Sequence, residues 1–179
     1  MSMDQIDTPA VVIDLDVVEN NLHTFQAYCD EHDIGLRPHI KTHKLPSLAK
    51  AQMDTGAVGI TCQKIGEAEV MAAAGIDNIL ITYNIRGASK LARLRRLHDE
   101  ITLSVTVDNG TVVEGLSRTF ADAERPLAVL IECDTGAGRC GVQSPEAAVE
   151  LAQQIGQSMG LRFAGLMTSP FASIGTNPC

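Results

Sequence analysis

The feature that most restricts the fold of this chain is a regular alternation of short apolar runs and amphipathic stretches. Glycines follow the early amphipathic stretches at Gly35, Gly56 and Gly75, with spacings of 21 and 19 residues, which is the length of one strand–helix unit. Nearly continuous apolar strands that alternate with helices are typical of parallel sheets covered by helices. The pattern therefore predicts an α/β fold.

The individual elements can be placed from the same pattern. An apolar run at 10–14 opens the chain, and a first helix is expected from about Asp16, with Val18, Leu22, Phe25 and Cys29 on one face. Six strands are predicted at 36–39, 58–61, 78–81, 103–107, 127–131 and 163–167. The helices between them are predicted at 45–55, 65–74, 88–98, 111–120 and from Ser144-Pro145 onward, the last with Ala148, Leu151, Ala152, Ile155 and Met159 on one face. No linker interrupts the series, so we expect one domain, although periodicity alone leaves open whether its sheet is closed into a barrel.

Charge and cysteine content exclude several classes of protein. With 14 basic and 22 acidic residues the formal net charge is −8, which argues against nucleic-acid binding through a general basic surface. No apolar run approaches the roughly 20 residues of a membrane helix. The first nine residues are polar and do not resemble a signal peptide. The five cysteines are scattered without a CxxC pair, which favours reduced thiols and a cytoplasmic protein. Neither nucleic acid nor a membrane is therefore an expected partner.

Residues 36–41 (Leu-Arg-Pro-His-Ile-Lys) are the first candidate for chemistry. Because side chains alternate along a strand, Arg37, His39 and Lys41 are predicted to share one face. Three cationic groups on one face indicate an anionic ligand, unless this is an edge strand with its basic face in water. A lysine in a dry pocket beside other cations becomes a nucleophilic amine, as Schiff-base chemistry requires. Lys44, three residues on, is expected to be solvated.

The second candidate is the loop 134–141, which contains a literal GxGxxG from Gly136 to Gly141. A dinucleotide site is disfavoured, because the next helix begins only at Ser144 and no acidic residue ends the following strand. We interpret the segment as a loop at a strand end that presents Asp134 and Arg139. The planar guanidinium of Arg139 suits a phenolate or carboxylate, although a tight loop with an exposed arginine remains an alternative.

Several segments together resemble a known family. They are Thr8-Pro9-Ala10, the run RPHIKTHK at 37–44, Gly66-Glu67-Ala68-Glu69, and Asp134-Thr135-Gly136 with Arg139 and Gly141. The chain is similar to the amino-terminal barrel of fold-type III pyridoxal-phosphate enzymes, the alanine racemase N-terminal domain superfamily. The segment RPHIKTHK is most similar to the branch of D-threonine aldolases and D-serine dehydratases.

The resemblance implies a pyridoxal 5′-phosphate cofactor bound as a Schiff base to Lys41. It also implies that Arg139 holds the phenolic oxygen of the cofactor and that His39 and Gln63 line the same pocket. The implied reaction is retro-aldol cleavage of a β-hydroxy D-amino acid to glycine and an aldehyde. A D-serine dehydratase, a racemase-type enzyme, a non-catalytic pyridoxal-phosphate-binding protein and an inactive truncated fragment remain alternatives.

The resemblance also concerns the extent of the fold. The family has a parallel (β/α)8 TIM-type barrel followed by a β-rich carboxyl-terminal domain, and it allows a homodimer. We interpret 1–168 as the amino-terminal part of such a barrel, with about six strands, and 169–179 as an unpatterned tail, the β domain being absent. The relatives use a divalent metal whose ligands lie in a later region, so we assign no metal ligand here.

Overall fold

The computed structural model describes residues 5–169, in which two helices precede a regular alternation of strands and helices. The helices are α1 Leu15–Glu31, α2 Pro46–Thr55, α3 Ile65–Ala73, α4 Ala88–Glu100, α5 Gly110–Phe120 and α6 Pro145–Gln157. The strands are β1 Ile60–Cys62, β2 Asn78–Ile81, β3 Thr102–Val107, β4 Leu127–Cys133 and β5 Leu161–Thr168. The predicted α/β alternation is confirmed.

The five strands form one sheet in the order β1-β2-β3-β4-β5, and every neighbouring pair is parallel. The register places Ile79 of β2 beside Ile60 on one side and Leu103 on the other. Consecutive parallel strands joined by helices are the arrangement of a (β/α)8 barrel, of which the described residues supply five strand units. All carboxyl ends therefore lie at the same edge of the sheet.

The core lies between the sheet and its helices. Strand residues such as Ile79 and Val129 are fully buried, and so are Leu94, Leu116 and Ile155 of the helices. Each fully buried aliphatic side chain of this size stabilises the fold by about 1.5–3 kcal/mol relative to its exposed state. This core fixes the strand ends, and with them the loops that follow.

The first two apolar segments of the chain, 10–14 and the predicted strand 36–39, are not regular strands. Residues 10–14 belong to no strand, and no described strand runs beside them. Residues 36–39 are extended, but they make only a single bridge, from His39 to Thr61, and accept isolated hydrogen bonds at Leu36 and Pro38. Pro38 has no N–H to donate to a ladder, which is one physical reason why pairing is incomplete. The sheet therefore has five strands where six were predicted.

The first helix begins earlier than predicted. Asp14, not Asp16, is its N-cap, and the Asp14 carboxylate accepts hydrogen bonds from the N–H groups of Asp16 and Val17 at 3.1 and 3.2 Å. The predicted apolar face is also partly wrong, because Phe25 is 57% exposed while Gln26 is buried beside Cys29.

The later helices agree more closely with the sequence. Ser144 caps α6 by accepting the N–H of Ala147 at 3.2 Å, as its Ser-Pro start predicts. Leu151 and Ile155 of the predicted face are buried, but Met159 is exposed because the helix ends at Gln157. Within residues 5–169, no helix is long and apolar enough to cross a membrane.

Candidate active site

A cavity of about 790 Å³ opens at the carboxyl ends of the strands. All four residues that the sequence analysis assigned to a cofactor lie in its wall: His39, Lys41, Gln63 and Arg139. Ligand sites of parallel α/β folds form at this edge, because the loops that follow the strands converge there.

Lys41 lies in a short 3₁₀ turn, Ile40–Thr42, and not on a strand as predicted. The backbone turns here because the N–H groups of His43 and Lys44 both donate to the Ile40 carbonyl, at 3.2 and 2.8 Å. The turn nevertheless leaves Arg37, His39 and Lys41 on the wall of the same cavity. The structure therefore brings the three predicted side chains to one cavity, although they do not share a strand.

The Arg37 guanidinium lies at the amino-terminal ends of β1 and β2. Its Nη1 lies 3.4 Å from the carbonyl oxygens of both Ile60 and Asn78, and burial lowers the pKa of its guanidinium from the ordinary value. Gly59 permits this approach, because a Cβ at that position would overlap the guanidinium. Arg37 is thus held by backbone carbonyl groups and contributes positive charge to the cavity.

His39 favours its neutral form. Burial lowers the pKa of His39, and the nearby charge of Lys41 lowers it further. Its Nδ1 accepts the backbone N–H of Lys41 at 3.3 Å, which leaves the ring proton on Nε2. That Nε2 is buried and has no hydrogen-bond partner within residues 5–169. His39 therefore offers an unused donor in the cavity wall.

Lys44 is 55% exposed, in agreement with the predicted solvation, and it also forms an ion pair. Its Nζ lies 3.2 Å from Oε1 of Glu67, a carboxylate in the first turn of α3 that is 7% exposed. The other oxygen, Oε2, accepts the N–H of Gln63 at 2.8 Å. Burial by itself would raise the pKa of Glu67, but the hydrogen bonds from Gln63 and Lys44 lower it. Glu67 thus joins the segment that carries Lys41 to the loop that carries Gln63.

The loop 134–141 places Arg139 in the cavity wall, whereas Asp134 lies outside that wall. The Asp134 carboxylate accepts the N–H groups of Gly136 and Gly138 at 3.0 and 3.1 Å, so it shapes the loop and is not among the residues that line the main cavity. Helix α6 begins only at Pro145, beyond the last glycine of the motif. This geometry agrees with the prediction that the glycines do not form a dinucleotide site.

Glu132 and Cys140 form a polar pair beside Arg139. The Cys140 thiol donates to Glu132 Oε1 at 3.0 Å, and this hydrogen bond raises the pKa of Cys140. Elsewhere at the same edge, burial next to Glu67 raises the pKa of Cys62 to about 12, which keeps that thiol protonated. Cys29, Cys62, Cys133 and Cys140 are all free in the described part of the chain.

A hydrogen-bond network around Asp108 connects three strand ends. The Asp108 carboxylate accepts hydrogen bonds from Nδ2 of Asn84 and of Asn109, at 2.7 Å each, and from the N–H of Gly141 at 3.2 Å. Burial would raise the pKa of Asp108, but these hydrogen bonds lower it. Asn84 Oδ1 is buried at the cavity without a partner in the described residues. In the sequence, Asp108 and Asn84 are recognisable only as polar residues that follow a strand. This signal is too general to identify them as part of the site.

Positive charge dominates the cavity. Its wall carries Arg37, Lys41, Arg86 and Arg139 but only one carboxylate, Glu132, in a chain whose formal net charge is −8. Arg86 was not predicted from the sequence, because it follows β2 in an irregular segment without a distinguishing motif. Concentrating cations in an acidic protein favours an anionic ligand. Within the described residues, no three His, Cys, Asp or Glu side chains come together as a metal site.

The family model for the alanine racemase N-terminal domain matches residues 13–174, most of the chain. The chain belongs to this family. A D-threonine aldolase from an Arthrobacter species is 44% identical over 162 residues, which cover 90% of this chain and 43% of that protein. A 3-hydroxy-D-aspartate aldolase from Paracoccus denitrificans is 37% identical over 168 residues, 93% of this chain and 43% of that protein.

A solved structure agrees with the sequence relationship. The crystal structure of D-threonine aldolase from Filomicrobium marinum matches this alanine racemase N-terminal domain with a TM-score of 0.89 and 43% identity, over 92% of this chain and 44% of the other. The chain thus spans less than half the length of these relatives. The resemblance to fold-type III enzymes and to the aldolase branch, drawn from short segments, is confirmed. The proposed boundary between 1–168 and the tail 169–179 stays a prediction, since 170–179 lie outside the described residues.

Proposed function

We propose that this chain carries the pyridoxal-phosphate site of a lyase that acts on β-hydroxy D-amino acids, with Lys41 as the residue that bonds covalently to the cofactor. The observation that carries the proposal is the position of Lys41. Of the five lysines in the sequence, it is the one that lines the main cavity, together with Arg37, Arg86 and Arg139.

The polar groups of the cavity fit this cofactor. Pyridoxal phosphate brings a phosphate and a phenolic oxygen, both anionic, and the wall supplies cations in excess over its single carboxylate. The guanidinium of Arg139 suits the phenolic oxygen, because a planar donor fork binds anionic oxygens with strong hydrogen bonds. The unpartnered Nε2 of His39 is a further donor for such a ligand. His39 and Gln63 line the same space and would fix the plane of the ring.

Lys41 would hold the cofactor covalently. Its Nζ would form a C=N bond with the aldehyde carbon, and the aldehyde oxygen would leave as water. When bound, the cofactor supplies an electron sink for bond cleavage at the substrate Cα.

The aldolase reaction is favoured by the relatives' activities. In this reaction the Cα–Cβ bond of the substrate breaks, the β-hydroxyl gives up its proton, and Cα gains one. D-threonine would thereby yield glycine and acetaldehyde. Both similar proteins above are named as aldolases of D-configured hydroxy amino acids.

Product analysis tests this function. Purified protein is incubated with pyridoxal phosphate and D-threonine, with and without a divalent metal ion, and glycine and acetaldehyde are quantified. We expect equal amounts of both products from the native chain and none from Lys41→Ala. Ammonia and a keto acid from D-serine would point to a dehydratase instead. Cofactor binding without any product would contradict the catalytic part of the proposal.

A further inference from the structure

Two lysines, Lys41 and Lys44, lie on one short turn of the chain, but their side chains have different surroundings. Lys41 lines the cavity, whereas Lys44, three residues on, is absent from its wall. The Lys44 ammonium instead lies 3.2 Å from Oε1 of Glu67. An aldehyde in the cavity would meet two amines on one short segment if Lys44 were not held elsewhere.

Glu67 is itself firmly held. Its side chain is 7% exposed, and its second oxygen accepts the N–H of Gln63 at 2.8 Å, immediately before α3. A buried carboxylate without a cationic partner is unfavourable, so the Lys44 ammonium stays beside Glu67, although 55% of its side chain is exposed. The Glu67 carboxylate is therefore fixed by the start of α3 and does not move with the Lys44 side chain.

The backbone of Lys44 supports the same arrangement. Its φ is +55°, a left-handed conformation that side-chain-bearing residues rarely adopt, and its N–H donates to the Ile40 carbonyl at 2.8 Å. This turn directs the chain from the cavity wall into α2. Backbone and ion pair together separate two amines that are neighbours in sequence.

We propose that Glu67 is a positioning residue that directs covalent capture of the cofactor to Lys41 by holding Lys44 out of the cavity. The inference rests on the proposed function, because it assumes an aldehyde ligand. The competing step is the same chemistry at the other amine: Lys44 Nζ attacks the aldehyde carbon, a C=N bond forms and water leaves. Removing the charge of Glu67 makes Lys44 available for it.

Borohydride trapping measures which lysine reacts. Native protein and Glu67→Gln are incubated with pyridoxal phosphate and reduced with borohydride, which converts C=N to a stable amine. Peptide mass spectrometry then gives the ratio of label on Lys44 to label on Lys41. Glutamine keeps the size of Glu67 and an oxygen for the Gln63 N–H but lacks the charge. We expect label on Lys41 in the native protein and a roughly tenfold higher Lys44 to Lys41 ratio in the variant.

The chain offers a matched control on the same helix. Glu69 pairs with Arg93, and Glu69→Gln removes that ion pair without touching Lys44, so we expect the native ratio. The double variant Glu67→Gln, Lys44→Ala should return all label to Lys41. An unchanged ratio in Glu67→Gln would overturn the inference, and so would Lys44 labelling that rises no more than labelling of Lys50.

The two proposals fail in different ways. If Lys41 of the native protein takes no label, the proposed function fails. If Lys41 is labelled but the Glu67→Gln ratio equals the native one, only the role of Glu67 is wrong.

Discussion

Arg139 shows how a single side chain obtains its role from the loop that carries it. The glycines around it adopt left-handed backbone, and Asp134 ties the loop by accepting two of their N–H groups. The loop presents the guanidinium to the cavity from the end of β4. The residue type and its place after a strand could be predicted from the sequence, whereas the use of Asp134 as a backbone acceptor could not.

Arg139→Gln should weaken cofactor binding. Hydrogen bonds to charged groups contribute about 1.5–3 kcal/mol, so we expect the dissociation constant of pyridoxal phosphate to rise roughly 10- to 100-fold. Absorbance titration measures this constant. Arg118→Gln is the control, since Arg118 is exposed on α5 and pairs with Glu114. An equal loss of affinity in both variants would contradict a specific role for Arg139.

The elements in the middle of the chain could be predicted from the local sequence pattern, whereas the first segments could not. Strand β2 was predicted with its observed bounds, because alternation of apolar runs and helices fixes both of its ends. The segment 36–39 depends on pairing with β1, which Pro38 limits, and Lys41 depends on a turn that periodicity does not reveal. The Lys44–Glu67 pair, 23 residues apart, follows only from the tertiary arrangement.

The turn that connects α6 to β5 packs closely against the end of α5. Gly160 has a φ of +73°, and a Cβ there would overlap the carbonyl group of Phe120 at the end of α5. Gly160→Ala should lower the free energy of unfolding by about 2 kcal/mol or more, since the left-handed conformation alone costs about 1–2 kcal/mol. Gly156 is the control, because it lies in α6 with nothing within 4 Å of an added Cβ.

Urea unfolding distinguishes the two glycines. Gly156→Ala should raise the free energy of unfolding by about 0.5–1 kcal/mol, the usual gain for alanine within a helix. A Gly160→Ala protein as stable as the native one would show that the turn between α6 and β5 is not as tight as described.

At the scale of the whole molecule, stability should depend on pH through one buried and two half-buried histidines. Burial lowers the pKa of His39, His43 and His98 below the ordinary 6.5. A lowered pKa in the folded state means that the unfolded chain takes up protons first as pH falls. The stability present above pH 6.5 is therefore lost progressively below it. Glu67 and Asp108, whose pKa values are lowered from 4.5 and 3.8, should add a second loss at more acid pH.

Urea unfolding at pH values on both sides of 6.5 checks this sign. We expect a smaller free energy of unfolding on the acid side, and a smaller difference between the two conditions in His98→Gln, since His98 is 2% exposed. Equal or greater stability on the acid side would show that the folded state does not favour neutral histidines.

The central claim is that this chain captures pyridoxal phosphate through Lys41. The most direct measurement is the visible absorbance of purified protein titrated with pyridoxal phosphate, with Lys41→Ala and Lys44→Ala in parallel. We predict a saturable Schiff-base band in the native protein and in Lys44→Ala, and no such band in Lys41→Ala. A band that survives in Lys41→Ala, or that is absent from the native protein, would contradict the claim.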